Sequence, residues 1–333
     1  MFKFPAGRDA TATQPEPLAA IAPTISVIVE TFTVCHEYPP NEAEMQLGAV
    51  LDRLREQRYP KSRTEILVVL DEVSESLAAF IQHKYPEVRT EFIKKGTYFS
   101  MKNHGFDVAR GEICALIDGD CIPSLDWLKR MEAALPDGVD VVAGKTRYRQ
   151  GFPFAKTFSV FDFGHVQADP QGKTFSFNLN NVGFRKNVVR ENRLDERARR
   201  NGACLLLWRQ LQVANYNMVY DPNVFAGHGN DYRGTGFIRK HIERGFDAIN
   251  LFRISEAGLL TGSRYMRLGP LVPLGMFAAR IRFDFWRLVS NRHDLGIPIY
   301  AIPYYYGVSI LIRGLEAVGG MTAVLKPDAF GED

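Results

Sequence analysis

The feature that most constrains this chain is an alternation of short apolar runs with amphipathic stretches, repeated between Thr24 and Ile117. After Pro23, TISVIVETF is β-branched and of buried-strand length. NEAEMQLGAVLDRLREQ follows, with Asn41 as a candidate N-cap and Leu47, Leu51 and Leu54 at helical spacing. The pattern continues with EILVVL at 65–70, a helical SESLAAFIQHKY, a short strand at 88–93, a helix near 98–109 and the strand ICALI at 113–117. Apolar strands alternating with helices predict an α/β fold whose mostly parallel sheet is covered on both faces. Such sheets bind ligands at the carboxyl ends of their strands. Glu30 and Thr31, Asp71, and Asp118-Gly119-Asp120 occupy those positions.

Further along, Ser124 reads as an N-cap before LDWLKRMEAAL, and VDVVAGKTRYR reads as a strand. The aromatic, glycine-rich stretch 151–177 has no period and is expected to be loop. NNVGFRK, a helix around 203–214 and the strand YNMVYDP at 216–222 complete the globular part. Composition changes near residue 260, which gives a flexible lead-in at 1–23, a globular domain at 24–260 and a C-terminal helical region at 261–333.

With 46% hydrophobic and 24% charged residues the chain is an ordinary globular protein, which excludes a disordered, collagenous or polytopic membrane class. Its 41 basic and 38 acidic residues are too balanced for a nucleic-acid binder. Cys35, Cys114, Cys121 and Cys204 form no C-x-x-C pair, which argues against a disulfide framework or a zinc site. The first 23 residues lack the apolar run of a signal peptide, so a cytoplasmic location is expected.

Asp118 and Asp120 lie two residues apart on a tight turn after a buried strand. Like charges this close require a divalent cation or a structural partner, and hard oxygen ligands suit Mg2+ or Mn2+, which in turn would hold a diphosphate. The alternative is a surface turn capped by Asp, common for Asp-Gly.

SVIVETF, the strand-end Asp71 of VVLDEVSES, KNHGFDVARGE, LIDGDCIPSLDWL and YDPNVFAGH occur in an order and spacing that resemble glycosyltransferase family 2 over about 24–228. The resemblance implies a GT-A fold, a nucleotide-sugar donor with a lean to uridine, a divalent metal and inversion at the anomeric carbon. It further implies that Glu30 and Thr31 line the nucleoside pocket and that Asp71 accepts from the base. Lys102 and Asn103 would contact ribose or diphosphate. Asp118 would lie near ribose and metal, Asp120 would be the principal metal ligand, and His228 would help close the metal site. Each has a plainer reading too: Lys102 as a solvated helical lysine, His228 as a loop histidine.

One departure stands out. Where the family usually carries an acidic pair at the start of the acceptor-side helix, this chain reads Asn201-Gly202-Ala203-Cys204. Either the base is Asp195 or Glu196 just upstream, or the acceptor needs little deprotonation, or the protein binds donor without transfer. Asp195 and Glu196 also have a structural reading as partners of Arg197, Arg199 or Arg200. The Q-x-x-R-W hallmark of processive synthases is missing, which argues for addition of a single sugar. A nucleotidyltransferase is disfavoured because TFTVCHEYPP lacks a glycine-rich basic loop. Lys145, Arg147 and Arg149 alternate on one strand face, either as a site for an anionic acceptor or as a solvent-facing basic edge strand.

In MFAARIRFDFWRLV (276–289), Phe277, Ile281, Phe285 and Leu288 form one helical stripe and Arg280, Asp284 and Arg287 another. Six arginines against one aspartate fall within 263–293, as expected for a helix on an anionic membrane surface, although a helix packed on the domain has the same pattern. LGIPIYAIPYYYGVSILI (295–312) is uncharged, and its prolines and glycines favour interfacial or re-entrant insertion over a full span or a soluble core segment. Glu316-Ala317-Val318-Gly319-Gly320 resembles an element in the apolar tails of bacterial family members, which implies lipid-linked or envelope acceptors, a membrane contact through 265–325 and a place on the inner face of the cell membrane.

Overall fold

The computed structural model describes residues 23–149, 155–229, 236–255 and 264–330. The lead-in expected at 1–23 therefore lies outside the described residues except for Pro23. One sheet of eight strands organises the domain: β1 (Ile25–Glu30), β2 (Thr64–Asp71), β3 (Arg89–Ile93), β4 (Ile113–Asp118), β5 (Cys121–Pro123), β6 (Val141–Tyr148), β7 (Asn181–Arg185) and β8 (Met218–His228), in the order β3-β2-β1-β4-β7-β6-β8-β5. Every residue of β1 and β4 is buried, because both strands lie mid-sheet with helices on both faces. The β3-β2-β1-β4 half is parallel. The other half is mixed, with β7 antiparallel to β4 and β6, β8 parallel to β6, and β5 antiparallel to β8. In the parallel half Glu30 pairs in register with Asp118 on one side and Val69 on the other, which sets the strand-end carboxylates along one edge.

Helices α1 (Phe32–Glu37), α2 (Pro40–Arg55), α3 (Glu75–Lys84), α4 (Tyr98–Val108) and α5 (Trp127–Ala133) follow in order. A short α6 (Ala155–Phe158) runs into a π-helical turn, Ser159–Phe163, before α7 (Lys186–Glu191), α8 (Ala203–Val213), α9 (Gly236–Ile254), α10 (Val272–Asn291) and α11 (Ile302–Leu325). One core contains Leu47, Leu51, Ile81 and Trp127, and the core on the other face contains Phe99, Phe106, Phe184 and Leu207.

Several local expectations are corrected. α1 follows β1 directly and was not anticipated. α2 starts at Pro40 with Pro39 at the cap position, so Asn41 lies inside the first turn; a proline at N1 has no N–H to leave unpaired. Asp126, not Ser124, occupies the N-cap of α5, and the Ser124 carbonyl accepts from Trp127 N at 3.1 Å. Part of the stretch expected as loop is the buried α6 and π turn, tied to β6 by Tyr148 N donating to Ser159 Oγ at 2.9 Å. β8 runs past Pro222 to His228 because its pairing with β6 shifts register between Gly144 and Lys145.

The C-terminal helices pack by unusually close approach. An added Cβ at Gly245 of α9 would lie 1.8 Å from the Glu316 carbonyl oxygen, and one at Gly319 of α11 would lie 1.8 Å from that of Ile242. α11 continues past Ile312 through Arg313 and Glu316, so the second part of the apolar run, from Ile302, is the first half of a longer helix, while 295–301 lead into it. Helix 299–325 is the single described helix long and apolar enough to cross a membrane. α10 is turned with Asp284 inward and fully buried and Arg280 and Arg287 half-buried, while Arg282, Phe283, Phe285, Trp286 and Val289 are exposed.

Candidate active site

Gly119 N donates to the Glu30 carbonyl at 2.8 Å, which folds the turn after β4 back over β1 and fixes Asp118 and Asp120 at the sheet's edge. Pairing of β5 with β8 sets Cys121 opposite His228, so the His228 imidazole comes 3.6 Å from the Asp120 carboxylate. Gly229 N also donates to the Asp120 carbonyl at 2.7 Å, and a Cβ there would lie 2.9 Å from that oxygen. The strand end closes on the acidic turn because residue 229 has no side chain. Ligand atoms of Asp118, Asp120, Cys121 and His228 all lie within 4.8 Å of one another. Two carboxylates and an imidazole are a donor set that fits Mn2+ or Mg2+. Burial pushes the Cys121 thiol well up, so it stays protonated and is the poor member of the group.

Lys102 is fully buried. Its Nζ lies 2.5 Å from Asp118 Oδ1 and 3.6 Å from Glu30 Oε2, and the Tyr98 hydroxyl donates to Asp118 Oδ2 at 3.0 Å. Lys102 thus orients and neutralises the acidic edge from inside the fold, and is not the solvated helical lysine of the plainer reading. Glu30 is also fully buried, and burial raises its carboxyl to about 8 against the opposing charge of Lys102. Thr31 is buried and donates to the Val69 carbonyl at 2.7 Å. Asp71 accepts from Ser74 at 2.6 Å and lies 3.4 Å from His36.

The other expected residues are drawn elsewhere. Asn103 donates to the Leu194 carbonyl at 2.9 Å and to Glu196 at 2.7 Å, so it fastens the 194–196 loop to α4. Asp195 is held by Arg197 at 2.6 Å, and that bond keeps its carboxyl below the usual range. Neither Asp195 nor Glu196 lines the cleft, because each carboxylate is satisfied by a neighbour outside it. Lys145 and Arg147 both close on Asp294, and β6 lies between β7 and β8, so the basic stripe is not an edge strand.

A cleft of about 580 Å³ opens in front of Asp118, Asp120 and His228. Thr33 and Tyr38, on and just after the unanticipated α1, line one side, and Asn201, Gly202 and Cys204 line another. The far wall is Arg244, Arg280, Arg287 and Arg313 from α9, α10 and α11. Sequence reasoning missed this wall because its members are dispersed over three helices. Asp162 accepts from the Tyr148 hydroxyl at 2.8 Å and pairs with Arg244. His165 also faces the cleft, and burial, followed by the charge of Arg287, lowers it to about 3. It is therefore a neutral imidazole.

The sheet order with an acidic turn at its carboxyl edge defines a GT-A fold. Mannosyltransferase PcManGT from Pyrobaculum calidifontis, solved with GDP-Man and Mn2+, superposes with a TM-score of 0.57 over 95% of this chain and 90% of that one, at 18% identity. Residues 40–191 match the family described as Glycosyl transferase family 2. Glycosyltransferase AglE of Haloferax volcanii is 31% identical over 153 residues, which is 43% of this chain and 47% of that protein. The chain thus spans about half the length of the curated relative it matches.

Proposed function

We propose that this chain is a metal-dependent, inverting glycosyltransferase that moves a single sugar from a nucleotide-diphosphate donor to a lipid-linked or other envelope acceptor. The observation that carries the reading is the convergence of Asp118, Asp120 and His228 within 4.8 Å at the mouth of the cleft. Asp118, Asp120 and His228 would hold Mn2+ or Mg2+, which supplies charge neutralisation at the departing diphosphate. Lys102 and Tyr98 keep the Asp118 carboxylate aimed, and Gly229 keeps the turn closed. Asp71, at the adjacent strand end, remains the candidate for the donor's base. The family resemblance favours a uridine nucleotide, and the GDP-Man bound to the Pyrobaculum protein makes guanosine the competing expectation.

The same reading takes 24–260 as the catalytic unit and 261–333 as the membrane-associating one, on the inner face of the cell membrane. What supports this is α10, which exposes Phe283, Phe285 and Trp286 beside Arg282 while Asp284 is buried. Product analysis tests the function: release of a nucleoside diphosphate with a glycosylated product supports it, whereas release of pyrophosphate from a nucleoside triphosphate contradicts it. A second reading, a donor-binding subunit without transfer, is favoured by the lack of a carboxylate at the start of α8. It predicts nucleotide binding with neither transfer nor donor hydrolysis.

A further inference from the structure

The start of α8 presents Asn201, Gly202 and Cys204 to the cleft, none of which can take a proton from an acceptor hydroxyl at neutral pH. Among the described residues, the carboxylates that line it apart from Asp118 and Asp120 are already paired: Asp162 with Arg244, Glu316 with Arg280 and Arg313, and Glu243 with Arg239 at 2.6 Å. A carboxylate held by a guanidinium is a weak base. On the opposite wall, four guanidiniums (Arg244, Arg280, Arg287 and Arg313) meet three carboxylates (Asp162, Asp284 and Glu316) among the described residues. Arg287 is the least compensated. Its nearest carboxylate, Asp284, is 3.7 Å away and already accepts from Arg313 at 2.6 Å and Ser309 at 2.7 Å. Burial, and then the neighbouring Arg313 and Arg280, hold Arg287 below the usual guanidinium range.

Resting on the glycosyl-transfer reading above, we infer that the acceptor is a phosphate ester seated on Arg287 and Arg280, and that its own ionised oxygen is the nucleophile. One phosphate oxygen attacks the anomeric carbon while the other two remain for the guanidiniums, a division that a carboxylate does not offer. The new bond joins that oxygen to the anomeric carbon. The bond from that carbon to the donor's terminal phosphate oxygen breaks, and its electron pair leaves on the nucleoside diphosphate. No proton moves, so no base is needed, and the missing acid of α8 and the cationic wall have one explanation. The phosphate ester has two possible sources, a prenyl phosphate in the bilayer or a soluble sugar phosphate.

The test uses the full chain with Mn2+, the nucleoside diphosphate it binds for the affinity measurements and the matching nucleotide sugars as donors for transfer, and compares a short prenyl phosphate, the corresponding prenol and a hexose phosphate as ligands and acceptors. Binding and glycosylation of a phosphate ester but not of the prenol are expected, and whichever ester is preferred names the source. Arg287→Ala lowers affinity for the ester at least about tenfold and leaves nucleotide affinity unchanged, with Arg287→Lys between the two. Unchanged nucleotide affinity also shows that the variant is folded. Transfer to the prenol at an equal rate, or ester affinity indifferent to Arg287→Ala, overturns the inference while the donor site stands. Failure of every nucleotide to bind overturns the underlying reading instead.

Discussion

Lys102 shows how two acids are held at one strand edge. It lies fully buried between Asp118 and Glu30, and removing its charge leaves the Asp118 carboxylate without its cation in the interior. Lys102→Met is expected to cost about 3–5 kcal/mol, read from the urea midpoint at constant slope. Asp120→Asn is expected to be close to silent in the same measurement yet to lower metal-dependent transfer by at least about 100-fold. His165 sets an acid limit. Its imidazole, ordinarily near 6.5, is lowered to about 3 in the fold, so the unfolded chain binds the proton first. Its contribution to stability is complete above about 6.5 and is lost as pH falls toward 3, at up to about 1.4 kcal/mol per pH unit. His165→Phe should flatten that slope; an unchanged acid titration of stability contradicts the assignment. Asp118 and Asp120 were legible because the pair is contiguous and ends an apolar strand. The burial of Lys102 was not, since a lysine on a polar-looking helix gives no sign of the carboxylate 16 residues on that it will meet.

At the scale of elements, the strands were legible where both faces are covered, as in β1 and β4. In the mixed half β6, β7 and the start of β8 were legible as strands, but their pairing was not, because it joins segments far apart in sequence. α10 was legible as amphipathic, but which side faces inward depends on Asp284 meeting Arg313 of α11, and no periodicity within α10 encodes that. The glycines of the last helices make a prediction of opposite signs. Gly245→Ala forces its new methyl into the Glu316 carbonyl and should destabilise by about 1–3 kcal/mol. Gly314→Ala, where nothing lies within 4 Å of the added carbon, should stabilise by about 0.5–1 kcal/mol through helix propensity. Thermal unfolding of the two variants side by side checks the pair; equal shifts would contradict the packing described.

Across the whole molecule, the sheet supplies the acidic edge and the C-terminal helices supply the cationic wall facing it, so the cleft is complete only when both are present. The same helices turn aromatic side chains outward. Replacing Phe285 and Trp286 together by serine should weaken sedimentation with anionic vesicles roughly tenfold or more while leaving nucleotide binding intact. Binding that does not change would remove the membrane from the account. The central claim is that Asp118 and Asp120 form a metal-dependent nucleotide site. Calorimetric titration of the full chain with a panel of nucleoside diphosphates, in Mn2+ and again in chelator, tests it most directly. The account predicts tight binding of one nucleotide in Mn2+, lost in chelator and in Asp120→Asn; binding of none, or binding indifferent to both metal and Asp120, would contradict it.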